Sequence, residues 1–235
     1  MQVLTVERLL ANLGYGSRKE CRALVRMGFV DIGGRSVEDP FEKLPALPET
    51  ISVNGEVVPT FDALYIMMNK PCGLECSHNP QSHDSVFSRF SERFLNMGLN
   101  CVGRLDADSS GLLLFSNQGD FIHKVESPKK GMLKKYVANL ARPIDALQLE
   151  ALKTGVLLHG ENKMVSAKEV KVLSEKEVEI SIGEGIYHEV RRMFAAVGNH
   201  VDSLRRIAIG NIKLDAGLGP GDWRFLGKEE IASFI

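Results

Sequence analysis

The chain predicts an α+β fold with a small amino-terminal domain and a larger second domain. Three observations lead there. Apolar residues at helical spacing open the chain and give way to short strand-like runs closed by Gly-Gly and Asn-Gly turns. Strands and helices then mix over the rest of the sequence without the regular β-α alternation of a doubly wound fold, which predicts a mixed, largely antiparallel sheet flanked by helices. Neither a P-loop nor a dinucleotide-binding glycine pattern is present. At 235 residues there is room for one good-sized core and a small appended domain.

Residues 1–60 form the first domain. Val6, Leu9, Leu10 and Leu13 recur at helical spacing, and Gly14 and Gly16 end the pattern. Ser17 is placed to cap a second helix, with Glu20 where it closes a capping box; that helix runs through Cys21, Leu24 and Val25 and stops near Gly28. FVDIGGRSV and ETISVNGEVV follow as strand runs with tight turns. The short polar stretch from Pro59 to Asp62 predicts limited hinge freedom before the second domain, residues 63–235. Its first half, 63–127, holds the strand ALYIMMNK, a Lys70-Pro71-Cys72-Gly73 turn, a polar loop and the apolar run Leu112 to Phe115. That run, bounded by Gly111 and SNQGD, reads as a buried strand. The second half, 128–235, lies across a cleft from the first. It carries the strand KKYVANL, a helix over Ile144 to Lys153, strands within Val156 to Ile182, and the helix YHEVRRMFAAVG. In that helix Val190, Met193, Phe194 and Val197 make an apolar stripe that His188, Arg191 and Arg192 avoid. A strand-rich segment from Val201 to Arg224 and a short helix after Leu226 end the chain.

The formal net charge is -1, but the basic residues bunch. Arg18, Lys19, Arg22 and Arg26 form one cluster, Lys129, Lys130, Lys134 and Lys135 a second, and Arg191, Arg192, Arg205 and Arg206 a third, while acidic residues concentrate around Glu169 to Glu179. A solvated helix face explains any one cluster; three beside three motifs point to a nucleic-acid footprint. Arg18, Arg22 and Arg26 share one helix face by their spacing of four and can track phosphates. No stretch is apolar enough to span a membrane, no signal-peptide pattern opens the chain and no heptad repeat asks for a partner helix, so a cytoplasmic monomer is expected. The cysteines Cys21, Cys72, Cys76 and Cys101 lack the spacing of a disulfide scaffold. Cys72, Cys76, His78 and His83 crowd one segment, but their spacing fits no common zinc finger.

The chemistry concentrates in GRLDADSSGLLLF, Gly103 to Phe115, where Asp106 and Asp108 stand beside Arg104 ahead of the buried run. Such acids with Ser109 and Ser110 can simply close a turn, or they can form a site on a rigid strand. Two carboxylates are too few for a hard-cation site.

The segment resembles the catalytic motif of the RsuA-like group of pseudouridine synthases, G-R-L-D-x-D, then Ser or Thr, then x-G-L and apolar residues; every fixed position is present. MNKPCG (Met68 to Gly73) and EGIYHEVRRMFAAVGNHVDSLRR (Glu184 to Arg206) resemble the other motifs of the group, in the same order. SRKECRALVRMGFV, in its helix, helix, strand setting, resembles an S4 RNA-binding domain, although Pro48 and Glu49 stand where Gly-Asp often precedes the last strand. The resemblance implies that Asp106 initiates conversion of a uridine's N-glycosidic bond to a C-glycosidic one, as nucleophile or as base. It implies no nicotinamide, flavin, nucleotide or metal cofactor. It places Arg191 as the cation that keeps Asp106 ionised and Tyr136 against the target base. It places Arg104 either in the space left by a flipped nucleotide or on a phosphate, and Leu204 against the base. Lys70 and Pro71 shape the cleft floor, with Lys70 counted among the RNA contacts together with Arg18, Lys19, Arg22, Arg26 and Arg192, and Asp108 holds the loop. One departure is Glu189, where many members have glutamine. The partner implied is ribosomal RNA or a subunit assembly intermediate, with no membrane. The carboxy-terminal half looks closest to enzymes of the small subunit, while large-subunit paralogues share all three motifs. A non-catalytic S4-type assembly factor and a carboxylate glycosidase, which would need a second acid across the scissile bond, are the readings from other classes.

Overall fold

The structure, a computed structural model, describes residues 4–127 and 131–234. It has two compact units, Met1–Leu64 with Ser88–Asn100, and Tyr65–Phe87 with Cys101–Ile235.

In the first unit, helices α1 (Val6–Asn12) and α2 (Arg18–Arg26) precede strands β1 (Val30–Ile32), β2 (Arg35–Ser36), β3 (Thr50–Val53) and β4 (Glu56–Pro59), which form an antiparallel sheet in the order β2-β1-β3-β4. Local signals set these elements. The Ser17 hydroxyl accepts from the Glu20 amide while the Glu20 carboxylate accepts from the Ser17 amide at 2.7 Å, completing the capping box the sequence predicts. Leu9, Leu10, Leu13, Val25, Val30 and Ile51 are buried in one cluster, each contributing about 1.5 to 3 kcal/mol by leaving water. Two features differ from the sequence reading. Residues 88–100, expected within the second domain, pack into this unit: Arg93 lies over the Tyr15 ring and donates to its hydroxyl at 3.1 Å, and Phe94 meets Phe61 edge-on at 6.1 Å. The stretch expected as a polar linker also belongs here, because the Thr60 hydroxyl donates to the Pro48 carbonyl and Phe61 packs on the core.

The second unit opens with β5 (Tyr65–Lys70), β6 (Leu74–Glu75) and β7 (Asp84–Ser85); the short helix α3 (Glu92–Asn96) lies in the first unit. Next come β8 (Asn100–Val102), β9 (Ser109–Ser116), helix α4 (Gly119–Glu126), β10 (Lys134–Leu140), helix α5 (Ala146–Thr154), β11 (Val156–Leu157) and β12 (Met164–Val165). β13 (Glu169–Ser174), β14 (Glu177–Ile182), helix α6 (Glu189–Ala196), β15 (Val201–Ile209), β16 (Ile212–Lys213), β17 (Trp223–Phe225) and helix α7 (Lys228–Ala232) complete it. The main sheet runs β13-β14-β10-β15-β9-β5-β17, with β8 beside β9 and β16 beside β15. β9 pairs in parallel with β15 and antiparallel with β5, so the sheet is mixed and largely antiparallel. Being central and covered on both faces, β9 buries Leu112, Leu113, Leu114 and Phe115 in succession, which is why it reads as an unbroken apolar run rather than an alternating one.

Candidate active site

Sheet register brings together residues far apart in the chain. Tyr136 on β10 faces Arg206 on β15, Arg206 faces Gly111 on β9, and Gly111 faces Lys70 on β5. Gly111 has φ +100°, and a Cβ there would meet the Arg206 carbonyl oxygen at 2.2 Å, so glycine is required for this close approach. Along β15, Leu204, Arg206 and Ala208 are all buried at a spacing of two, which turns Arg206 inward with them.

The loop between β8 and β9 is fixed through its backbone. The Arg206 Nη1 donates to the carbonyl of Arg104 at 3.2 Å, and the Cys76 thiol to that of Leu105 at 3.3 Å. Lys70 Nζ donates to the carbonyls of Asp106 (3.1 Å) and Ser109 (2.9 Å), the Gly73 amide to that of Ala107 (2.7 Å), and the Cys72 thiol to that of Asp108 (3.3 Å). Each carbonyl from Arg104 to Ser109 therefore has a donor from outside the loop. Lys70 is 0% exposed and Arg206 1%, and among the described residues neither forms an ion pair with a carboxylate. Burial lowers the Lys70 ammonium from its usual range. A hydrogen bond from Cys101, opposed by burial, holds the Cys76 thiol below its usual range, with the charges of Lys70 and Arg206 acting in the same direction.

The side chains of the loop meet α6. His188, the residue capping that helix, holds φ 51° and ψ 33°, a left-handed conformation that costs a non-glycine residue about 1 to 3 kcal/mol. Its Nε2 lies 3.2 Å from Asp106 Oδ1. Arg191, expected beside Asp106, instead pairs with Asp108 Oδ2 at 2.9 Å and donates to the Val201 carbonyl at 2.8 Å. His188, at the helix N-cap, and Arg191, in the first turn, thus meet carboxylates two residues apart on the loop.

Asp106 and Tyr136 open on a cavity of about 470 Å³, within the roughly 300 to 1,000 Å³ of small-ligand sites. Leu204 and Arg206 line it, with the Arg206 guanidinium 6.0 Å from the Tyr136 ring centre, and so do Arg104, Lys134, Tyr187, His188 and Glu189. Nη2 of Arg206 is buried there without a partner. Burial, followed by the Arg206 charge, lowers Lys134. Burial raises the carboxyl of Glu189, whose Oε2 accepts from the Ile186 amide while Oε1 is buried and unpartnered.

Several RNA contacts expected from sequence need correction. Lys70 reaches no surface, because its ammonium is spent on the loop and on the Pro71 carbonyl. Arg192 is tied to Glu161 and to the carbonyls of Tyr187 and His159. In the third basic cluster Arg205 alone is exposed, and Lys135 of the second pairs with Glu169 and Glu179. Lys129 and Lys130 lie outside the described residues. On α2, Arg18, Lys19 and Arg26 are exposed, whereas Arg22 binds Glu7 and lies over Phe41. Of the four residues weighed as zinc ligands, Cys72 and Cys76 turn to the loop, His78 stacks on Phe87 and His83 faces Glu75. Sequence reasoning missed Arg206 as a cavity residue; its signal was an inward position in phase with Leu204. It also passed over His188 and Tyr187, which stand just ahead of the helix stripe.

The cavity, with an aspartate on a rigid loop and an aromatic ring and an apolar residue on its walls, suits a flat base and its sugar. The description RNA pseudouridylate synthase matches residues 64–196. The ribosomal small subunit pseudouridine synthase A of Vibrio cholerae is 38% identical over 98% of this chain and 99% of its own length, and that of Escherichia coli 41% over 73% and 74%. An uncharacterized RNA pseudouridine synthase of Bacillus subtilis is 36% identical over 97% of both chains. A crystal structure of a pseudouridylate synthase superposes with a TM-score of 0.70, at 32% identity over 99% of this chain and 100% of that one. These likenesses reach both units, and the chain belongs to the RNA pseudouridylate synthase family.

Proposed function

We propose that this pseudouridine synthase acts on a uridine of small-subunit ribosomal RNA, as a cytoplasmic monomer, with Asp106 as the catalytic carboxylate. The small-subunit target rests on the names of the relatives that match nearly the whole chain. Among the described residues no helix is long and apolar enough to cross a membrane. The observation that carries the assignment of chemistry is Asp106 at the wall of a cavity shared with Tyr136, Leu204 and Arg206.

In the reaction the N1–C1′ bond breaks, the uracil turns so that C5 meets C1′, the C5–C1′ bond forms, and the proton on C5 is lost while N1 gains one. The atoms of substrate and product are the same. Asp106 starts this from its carboxylate, as nucleophile at C1′ or as base toward the sugar, and the imidazole of His188 orients it. The Tyr136 ring packs against the base, and Arg206 offers its free Nη2 to the polar edge of the uracil or to the negative charge that develops as the glycosidic bond opens. Arg191 acts through Asp108, as a clasp on the loop. Arg104, exposed at the cavity wall, meets the RNA backbone or the gap left by the extruded nucleotide. Arg18, Lys19 and Arg26 of α2 contribute sequence-independent phosphate contacts.

Mapping pseudouridine at nucleotide resolution in ribosomal RNA from cells with and without the gene tests the target. A small-subunit position lost with the gene and restored by wild type but not by Asp106→Asn is the expected result. A large-subunit position would overturn the target, and restoration by Asp106→Asn would overturn the mechanism.

A further inference from the structure

Tyr187 is the most exposed aromatic side chain at the cavity, 74% open to solvent. One face of its ring lies on the His188 imidazole, with centroids 3.8 Å apart and planes at 17°. His188 in turn meets Asp106 at 3.2 Å and is held in a left-handed conformation. The chain thus keeps a strained residue and a bare aromatic face together at the wall of the catalytic cavity. Core packing does not account for the Tyr187 ring, most of which is open to solvent. The inner wall already has its own aromatic, Tyr136, 7% exposed and set against Arg206 and Leu204, which suits the target uracil.

We propose that Tyr187 is a stacking platform for a second nucleobase of the RNA, an unpaired neighbour of the target uridine. The inference rests on the assignment of RNA as substrate. Unpaired bases are commonly recognised by stacking on aromatic rings, which every base can do through its π-face. Extruding a uridine from its stack leaves its neighbours with an exposed face, and an aromatic ring at the cavity wall replaces the lost stacking partner. Because Tyr187 lies on His188, and His188 on Asp106, seating that base also presses the imidazole into place against the carboxylate. Arg192, donating to the Tyr187 carbonyl at 3.0 Å, fixes the backbone of the platform.

The test uses the full chain and a ribosomal RNA fragment spanning the mapped uridine, with 2-aminopurine placed in turn on either side of it. Fluorescence should be quenched by wild type at one of the two positions, and the quenching lost in Tyr187→Ala. Tyr187→Ala should raise KM about 5- to 150-fold, the fold-change equivalent to about 1 to 3 kcal/mol of stacking, while Tyr187→Trp and Tyr187→Phe restore it. The penalty should vanish when the quenched neighbour is replaced by an abasic site. Wild-type turnover with no KM penalty in Tyr187→Ala, or a penalty that persists on the abasic RNA, overturns the platform and leaves the function intact. Failure of wild type to form pseudouridine in any ribosomal RNA overturns the functional reading first and the platform with it.

Discussion

Replacing Lys70 by methionine isolates what the buried ammonium does for the catalytic loop. Methionine is unbranched and flexible enough to fill the same channel, so the change removes a charge and three hydrogen bonds while leaving little void. The bonds lost are those to Pro71, Asp106 and Ser109 at 3.0, 3.1 and 2.9 Å. Three bonds from a charged donor are worth about 1.5 kcal/mol or more each, the Asp106 carbonyl keeps the Ser109 amide as a donor, and removing a desolvated charge returns part of the loss, for a net cost of about 2 to 3 kcal/mol. Thermal unfolding of the second unit should then shift down by about 5 to 10 °C. Turnover should fall by about tenfold or more, because the backbone that carries Asp106 loses its anchor. The pH dependence supplies a separate check. Burial lowers Lys70 below 10.5, so between that lowered value and 10.5 the unfolded lysine holds a proton the folded one has released. This group's contribution to stability therefore rises with pH across that window, and the rise should be absent in Lys70→Met. Melting curves from pH 7 to 11 with turnover on an RNA transcript read both effects. If Lys70→Met melts within about 1 °C of wild type and keeps its turnover, the ammonium does not hold the loop and the argument fails.

Glu189 works in the opposite sense. Burial raises its carboxyl above 4.5, so the folded state holds a proton that the unfolded state has lost, and stability falls as pH rises from 4.5 through the raised value. Glu189→Gln keeps the acceptor for the Ile186 amide and should melt higher than wild type at pH 7 to 8 yet alike below pH 4.5; equal curves at both ends would show that the carboxyl is not strained by burial. For His188, the Ala substitution should lower kcat by about ten- to a hundredfold through loss of Asp106 orientation, with KM moved much less, and His188→Gln, which can still donate to the carboxylate, should recover much of it. A loss in KM alone would mean that His188 binds RNA without positioning Asp106.

Local grammar made much of the fold legible. The Ser17 and Glu20 capping box, the Asn-Gly turn between β3 and β4, and the strand KKYVANL are set by residues within a few positions of each other, and all fall where the sequence places them. The apolar run Leu112 to Phe115 announced a buried strand for the same reason. What the sequence did not disclose is pairing across distance. Arg206 Nε donates to the Leu112 carbonyl from 94 positions away, and the parallel β9–β15 register that brings them together leaves no local trace. Arg206 consequently looked like one member of a basic surface cluster. Lys70 misled in the same way: a lysine beside a Pro-Cys-Gly turn looks exposed until the loop folds over it. Residues 88–100 read as continuous with their neighbours because allegiance to the first unit depends on Tyr15 and Phe61, whose contacts composition does not reveal.

The donors around the loop separate its backbone from the side chain that the proposed mechanism uses, the Asp106 carboxylate. All six carbonyls from Arg104 to Ser109 are engaged by Arg206, Cys76, Lys70, the Gly73 amide and Cys72, so the backbone is held without any help from the Asp106 carboxylate. Asp108 is clasped by Arg191, which also binds the Val201 carbonyl and so ties the loop to the start of β15. Asp106 differs: its carboxylate is a third exposed and meets an imidazole that is itself partly exposed. A partly exposed contact of that kind contributes about 1 kcal/mol or less, so the carboxylate can turn toward an arriving sugar for little while the imidazole stays beside it. The backbone bonds, each worth about as much and acting together, remain in place as it turns. On the proposed mechanism, separating the two functions lets the Asp106 carboxylate reach the ribose while its Cα stays fixed, a requirement that holds whether it acts as nucleophile or as base.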